Sequence, residues 1–407
     1  MDIFNKAFNY KDAKIAKEKG YYPYFHELNS KQDIIVKMEG KEVIMIGSNN
    51  YLGLTSHPEV IKASVYATNM FGTGVSGSRF LNGTLSLHVE LEKKLAKFLN
   101  KEDAMIFSTG YQSNLGFISA IAGRNDIIFS DKENHASIYD GIKLSYADVV
   151  RYNHNDMSDL ENKLKDANPK KGKLIVTDGV FSMGGDLCNL PELVKLSKKY
   201  NARLMVDDAH GIGVMGKTGR GTGEHFNLLD EIDIIMGTFS KSLASSGGFI
   251  VGKKEVIEYV RHHSRPYIFN AAIPPSNTMS AMKALEILER EPERVTNLQK
   301  VGNYVRKELI KKGLEIKESI TPIIPIYTYT PIRTMVACNI LFEKGVYVNP
   351  VLPPATKHGE CLIRTSFMTT HNKEVLDEAI NIIVEVLNNL PTEEELLNEW
   401  SSNYYWF

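Results

Sequence analysis

The sequence predicts an α/β fold: a mostly parallel central sheet with helices on both faces, joined to a smaller α+β domain at the C-terminal end. Two observations predict it. Between about residues 49 and 285, short apolar runs alternate with amphipathic segments, as strands joined by crossover helices do. After about residue 290 this alternation gives way to long helical patterns separated by a few strand-like runs.

Taken in order, residues 1–48 read as a helix followed by a short hairpin, with β-branched residues on both sides of Glu39-Gly40 in IIVKMEGKEVIMIG. A large domain, 49–288, carries seven strands: AMIFST (104–109), DIIFSD (126–131), ADVVRY (147–152), KLIVTDG (173–179), RLMVDDA (203–209), DIIMGTF (233–239) and GGFIVG (247–252). A small domain, 289–407, reads as a helix over 293–312, then IIPIYTYT, a helix over 335–344, VYVNP, CLIRTSF and a helix over 373–390. The tail TEEELLNEWSSNYYWF has no assignable packing partner.

Composition narrows the function by exclusion. With 43% hydrophobic residues in 407, the chain has ample core for two or three domains. Lys plus Arg (48) nearly balance Asp plus Glu (49), so no bulk field draws nucleic acid or an anionic membrane. Cys188, Cys338 and Cys361 are widely spaced, match no metal pattern and read as reduced cytosolic thiols. No run approaches the roughly 18 apolar residues of a membrane span, which leaves a cytoplasmic protein with room for peripheral contact at the inner membrane.

Two glycine motifs, GTGVSG (72–77) and GIGVMG (211–216), spell a dinucleotide fingerprint without its context of a strand before and a helix after. The first follows a helical segment, and the second runs into KTGRGTG, which cannot open a helix. Both read as flexible or closely packed loops near an active site.

The chemistry gathers around Lys241, in GTFSKSL, about thirty residues after a strand ending Val206-Asp207-Asp208-Ala209-His210. A lysine among hydroxyls and glycines, with an acid and a histidine delivered by a buried strand, is what pyridoxal 5'-phosphate (PLP) requires. The lysine holds the cofactor as a Schiff base, and the acid keeps its ring nitrogen protonated so that the ring accepts electrons. Gly110 and Tyr111, in STGYQSN between a strand and a helix, offer backbone amides to a phosphate, and Thr238 and Ser240 could add hydroxyls. His135 follows the strand DIIFSD and is placed to stack on a ring; Ser182 lies beyond KLIVTDG. All follow the carboxyl ends of strands, where open parallel sheets bind ligands. Singly, each has a plainer reading: a solvated lysine, a turn aspartate, a structural histidine. Their order along the chain is what selects the cofactor site.

These residues carry a resemblance. SNNYLGL (48–54), HVELE (88–92), FSTGYQSN, NHASIYDG, GVFSMGGDLCNLP, VDDAHGIGVMGKTGRG, GTFSKSLASSGGF and RPYIFNAAIPPS resemble the α-oxoamine synthases over about residues 20–390. That family comprises fold type I, aminotransferase-like PLP enzymes that join an amino acid to an acyl-CoA with loss of carbon dioxide. GTFSKS, RPYIF, Tyr22-Pro23-Tyr24-Phe25 and Val348-Asn349-Pro350 are similar to the members that condense L-serine with a long-chain acyl-CoA.

The resemblance implies roles, residue by residue. Lys241 is the Schiff-base lysine and proton carrier, Asp207 the partner of the ring nitrogen, His210 the partner of the phenolic oxygen, and His135 the stacking residue. Arg364 matches an arginine that forks onto the substrate carboxylate, with Asn49 or Asn50 assisting. A homodimer is implied. The sequence departs from many relatives at Leu352, where an arginine precedes the Pro-Pro pair, and at Ala271, where a threonine reaches a phosphate across the dimer. The competing readings are a related α-oxoamine synthase that uses cysteate, glycine or alanine and, more remotely, an aldolase or aminotransferase or an inactive partner subunit.

Overall fold

The computed structural model describes residues 2–399. The chain folds into two compact units, residues 49–300 and residues up to 48 together with those from 301 on. The N-terminal hairpin, β1 (Ile35–Met38) and β2 (Lys41–Met45), turns through Glu39 and Gly40, both at positive φ.

The larger unit holds the predicted seven-stranded sheet: β3 (Asp103–Phe107), β4 (Asp126–Asp131), β5 (Asp148–Tyr152), β6 (Gly172–Asp178), β7 (Arg203–Asp207), β8 (Ile234–Thr238) and β9 (Gly248–Gly252). Their order across the sheet is β3-β9-β8-β7-β6-β4-β5, with β7 in the middle. β5, β4, β6, β7 and β8 run parallel, and β9 lies antiparallel to both β8 and β3. Every residue of β8 and β9 is buried, as expected of continuous apolar strands covered on both faces. One face packs Ile106, Phe129, Ile175, Val206 and Ile235; the other packs Met105, Ile128, Val176, Met205 and Met236. This strict alternation fixes the register, because a slip of one residue would exchange the faces.

Parallel pairing brings strand ends together. Asp178, last in β6, is the register partner of Asp207, last in β7, and Asp207 is in turn opposite Met236 of β8. Two of the chain's acids are therefore neighbours because of sheet register alone.

In the other unit β2 pairs in parallel with β11 (Val346–Tyr347), following β10 (Ile323–Tyr329) in the chain. That pairing is why the first 48 residues belong with the C-terminal residues instead of forming a separate part. β12 (Asn349–Val351) and β10 flank β13 (Cys361–Ser366) in an antiparallel sheet. The boundary of the larger unit falls at Lys300, within the helix Glu293–Lys311, whereas the sequence reading ended that domain at 288. The predicted single N-terminal helix is two short ones, Asn5–Phe8 and Asp12–Glu18, interrupted where the backbone N–H of Asn9 closes back on the first turn. Leu352 is buried with Ala16, Tyr21, Met335 and Cys361, an apolar packing role in place of an arginine's. The aromatic residues of the tail lie outside the described residues.

The second glycine run is closely packed. It wraps the buried Asp208, whose Oδ2 accepts from Thr222 N (2.7 Å) and whose Oδ1 accepts from Thr222 Oγ1 (2.5 Å). A methyl added at Gly211 would lie 1.8 Å from Asp208 Oδ1, and one at Gly221 1.9 Å from Oδ2. Gly221 also holds φ +88°, which side chains resist. HVELE is likewise structural: His88 Nε2 meets Ile273 O (2.9 Å), and Glu92 takes both Arg79 guanidinium arms (2.9 and 3.0 Å). We expect Gly221→Ala to lower unfolding free energy by roughly 2–4 kcal/mol. In the same urea titration Gly123→Ala, whose added methyl meets nothing nearer than 4.0 Å, should stay near wild type.

Candidate active site

At the carboxyl ends of β6, β7 and β8 lies a cavity of about 310 Å³, within the usual range for a small-molecule site. Its lining includes Gly110, Tyr111, His135, Asp207, His210, Thr238, Ser240 and Lys241, together with Asn114, Ser137 and Asp178.

The helix Gly110–Ile121 starts at the cavity, with Thr109 as its N-cap accepting from Gln112 N (3.1 Å). A side chain at Gly110 would come within 2.7 Å of Thr238 Oγ1, so only glycine lets the helix start approach β8 this closely. Thr238 Oγ1 and Ser240 Oγ are 2.9 Å apart, so hydroxyls gather beside unpaired helix-start amides. Tyr111 donates its hydroxyl to Asp140 and meets the His135 ring edge to face at 6.3 Å.

Asp207 is buried, and two donors hold it. Its Oδ1 accepts from Ala209 N (3.0 Å), and its Oδ2 accepts from Asn114 Nδ2 (2.6 Å). Beside it, burial first and then the Asp207 carboxylate raise the Asp178 pKa well above its ordinary value, which favours its protonated form. Asp178 Oδ1 accepts from the backbone N–H of His135 (3.4 Å). Burial lowers the His135 pKa and the Lys241 ammonium lowers it further, against the pull of Asp207, so the imidazole is neutral. His210 Nδ1 lies 2.8 Å from the Tyr51 hydroxyl, which donates to Asn49 Oδ1 (3.2 Å).

Four expected residues are not among those lining the cavity. Ser182 sits in the turn after β6, where Gly185 N closes on Phe181 O. Asn49 is joined to the site through Tyr51, whereas Asn50 Oδ1 accepts from Leu54 N (3.1 Å) and so shapes the turn. Arg364 is buried on β13 in the other unit, its Nη1 3.5 Å from Ser366 Oγ. Ala271 offers only its carbonyl, to Ser108 Oγ (2.6 Å). Sequence reasoning passed over Asn114, Ser137, Asp178 and Tyr51. All four lie inside motifs already singled out or at the end of a strand, but what distinguishes them is a partner far away in the chain.

The arrangement suits PLP. Hydroxyls and helix-start amides match a phosphate, a fixed buried carboxylate matches a ring nitrogen, and Lys241 supplies the amine. Comparison agrees. A family model described as aminotransferase class I and II matches residues 41–383. A serine palmitoyltransferase of Sphingobacterium spiritivorum is 50% identical, covering 93% of this chain and 94% of its own. A putative 8-amino-7-oxononanoate synthase of Acetivibrio thermocellus is 42% identical over 91% of this chain and 95% of its own. A serine palmitoyltransferase structure from S. paucimobilis with bound PLP and myriocin superposes with a TM-score of 0.92 at 33% identity, covering 96% of this chain and 99% of its own.

The fold and the site thus define a fold type I transferase that uses PLP. Within that class the chain belongs to the α-oxoamine synthase family, and it is a PLP-dependent acyltransferase.

One ion-pair cluster braces the loops around the cavity. His154 Nδ1 meets Asp131 Oδ1 at the end of β4 (3.0 Å), and Nε2 meets Asp186 Oδ2 (2.7 Å) in the loop that carries Ser182. Burial opposes the charge, but the hydrogen bonds to Asp131 and Asp186 prevail and raise the His154 pKa to about 10. Folding raises this pKa above the ordinary value, so the clamp's contribution is complete below about pH 6.5 and is lost as pH rises through about 10. Urea titrations from pH 6.5 to 10 should show the wild type losing about 2–4 kcal/mol more than His154→Gln. Parallel pH curves for the two proteins would refute the clamp.

Proposed function

We propose that the protein catalyses the decarboxylating condensation of L-serine with palmitoyl-CoA or a similar long-chain acyl-CoA. The products are 3-oxosphinganine, CoA and carbon dioxide. The observation that carries this reading is the convergence of Lys241, Asp207, His210 and His135 on one cavity. Several serine palmitoyltransferases among the relatives support the substrate pair, at 45–50% identity.

When bound, the cofactor supplies an electron sink that lets the amino acid's α-carbon act as a nucleophile. Lys241 Nζ would supply the amine that holds the cofactor and would take up the α-proton. Asp207, fixed by Asn114 and Ala209, keeps a proton on the ring nitrogen, because a buried carboxylate raises the basicity of its partner. His210 hydrogen-bonds the phenolic oxygen. His135 would stack on the ring, and its neutral imidazole could donate to the oxygen of the attacked thioester, where charge develops. Gly110, Tyr111, Thr238 and Ser240 would hold the phosphate, with Ser182, in the turn after β6, as a further hydroxyl. Arg364 pairs with the substrate carboxylate, assisted by Asn49 or Asn50.

The enzyme works as a homodimer in the cytoplasm, with peripheral contact at the inner membrane where its lipid product goes. No helix among the described residues is long and apolar enough to cross a membrane. Similarity to 8-amino-7-oxononanoate synthases favours one second reading, in which glycine, alanine or cysteate replaces serine.

Mass-identified product and CoA release with palmitoyl-CoA and each of L-serine, L-cysteate, glycine and L-alanine decide between these readings. Serine-dependent release of 3-oxosphinganine is expected; preference for another amino acid selects the second reading, and no release with any rejects the long-chain donor. Lys241→Ala should lose both turnover and the absorption of the lysine-bound cofactor, and turnover persisting in that variant would remove Lys241 from the chemistry.

A further inference from the structure

Asn114 enters the reading above only as a donor to Asp207, yet it is buried, lines the cavity and makes a second bond. Its Nδ2 donates twice, to Asp207 Oδ2 (2.6 Å) and to Ser137 Oγ (2.8 Å). Its Oδ1 meets no hydrogen-bond partner among the described residues. A buried carbonyl left unpaired costs roughly 1–3 kcal/mol. The amide stands here despite that cost, and its two donated bonds are the polar contacts that offset it.

Ser137 passes the constraint on. Its Oγ lies 2.7 Å from His135 Nδ1, and its backbone N–H donates to the same nitrogen (3.3 Å). Because Ser137 Oγ accepts from Asn114, its own proton is free to point at Nδ1. An Nδ1 that accepts leaves the proton of a neutral imidazole on Nε2.

We infer that Asn114 is a positioning residue that orients the Asp207 carboxylate and, through Ser137, fixes His135 in its Nε2–H form. One amide thereby couples the group facing the cofactor's ring nitrogen to the group that donates to substrate. The directions follow from the chemistry: a carboxylate can only accept, so the amide donates to it and, with its second hydrogen, to the Ser137 hydroxyl; the Ser137 backbone N–H can only donate, so His135 Nδ1 accepts, and the hydroxyl proton reinforces that bond. The inference rests on the proposed roles of Asp207 and His135, but not on which amino acid or acyl chain is used.

The test uses the PLP-loaded enzyme and three variants. Asn114→Ala deletes both bonds; Asn114→Asp keeps the shape but sets a carboxylate against Asp207; Ser137→Ala deletes only the onward bond. PLP affinity is measured by equilibrium dialysis. The His135 tautomer is read by nitrogen-15 NMR of histidine-labelled protein, with His135→Asn as the assignment control. Asn114→Ala should weaken PLP binding ~10-fold or more, the loss expected for a hydrogen bond to a charged group, and Asn114→Asp should weaken it further. Wild type should show His135 as Nε2–H; Asn114→Ala and Ser137→Ala should show a tautomer mixture, with Ser137→Ala keeping PLP affinity within ~3-fold of wild type. Unchanged affinity in Asn114→Ala, or an unchanged tautomer in both, overturns the inference. Should Asn114→Ala fail to fold, Ser137→Ala still decides the relay, because it alters only a hydroxyl. Both readouts are free of acyl-CoA, so failure here is distinct from failure of the proposed reaction.

Discussion

Everything at this site depends on burying one carboxylate, Asp207, at the end of the central strand of seven. An ionised acid out of water is costly unless donors replace its hydration. Ala209 N and Asn114 Nδ2 supply two such donors, one local and one from a helix more than ninety residues earlier. Sheet register then places Asp178 directly alongside, where two charges would repel. Burial and that neighbouring carboxylate together raise the Asp178 pKa, which eases the conflict by favouring its protonated form.

The doublet Asp207-Asp208 shows how one strand end serves two purposes. Successive side chains at a strand end face opposite ways, so Asp207 lines the cavity while Asp208 enters the glycine loop. Gly179, Gly211 and Gly221 leave room for that second carboxyl, and each would collide with it if given a side chain. The glycines in GIGVMGKTGRGTG therefore answer a packing need created by an acid, which is why they spell a nucleotide motif without making one. Similar support comes from His154, which ties β4 to the loop after β6 by charge-assisted bonds at both ring nitrogens.

Family-like motifs divide between chemistry and architecture. GTFSKS and VDDAH bring Lys241, Asp207 and His210 to the cavity. HVELE does something else: its buried Glu92 neutralises Arg79, whose guanidinium lies 5.7 Å from the ring of Tyr267 in RPYIF. Leu352 fits the same division, since an apolar residue there joins a buried cluster. Pattern similarity alone cannot separate these classes, because both constrain the sequence equally.

The sequence by itself determined the architecture and the members of the site that have distinctive chemistry. All seven strands of the large sheet were legible, because strands buried on both faces must be continuously apolar and the helices between them must be amphipathic. Lys241, Asp207, His210, His135 and the Gly110 helix start were legible because reactive side chains after strand ends are rare and ordered. Only the tertiary structure decided the rest. The union of residues up to 48 with those from 301 on comes from a parallel pairing some three hundred residues apart in the chain. Asn114, Ser137 and Tyr51 look like ordinary polar residues, and what sets them apart is a hydrogen bond to a distant partner. The raised pKa of Asp178 depends on burial and on the register of its neighbour, quantities that exist only once the sheet has formed.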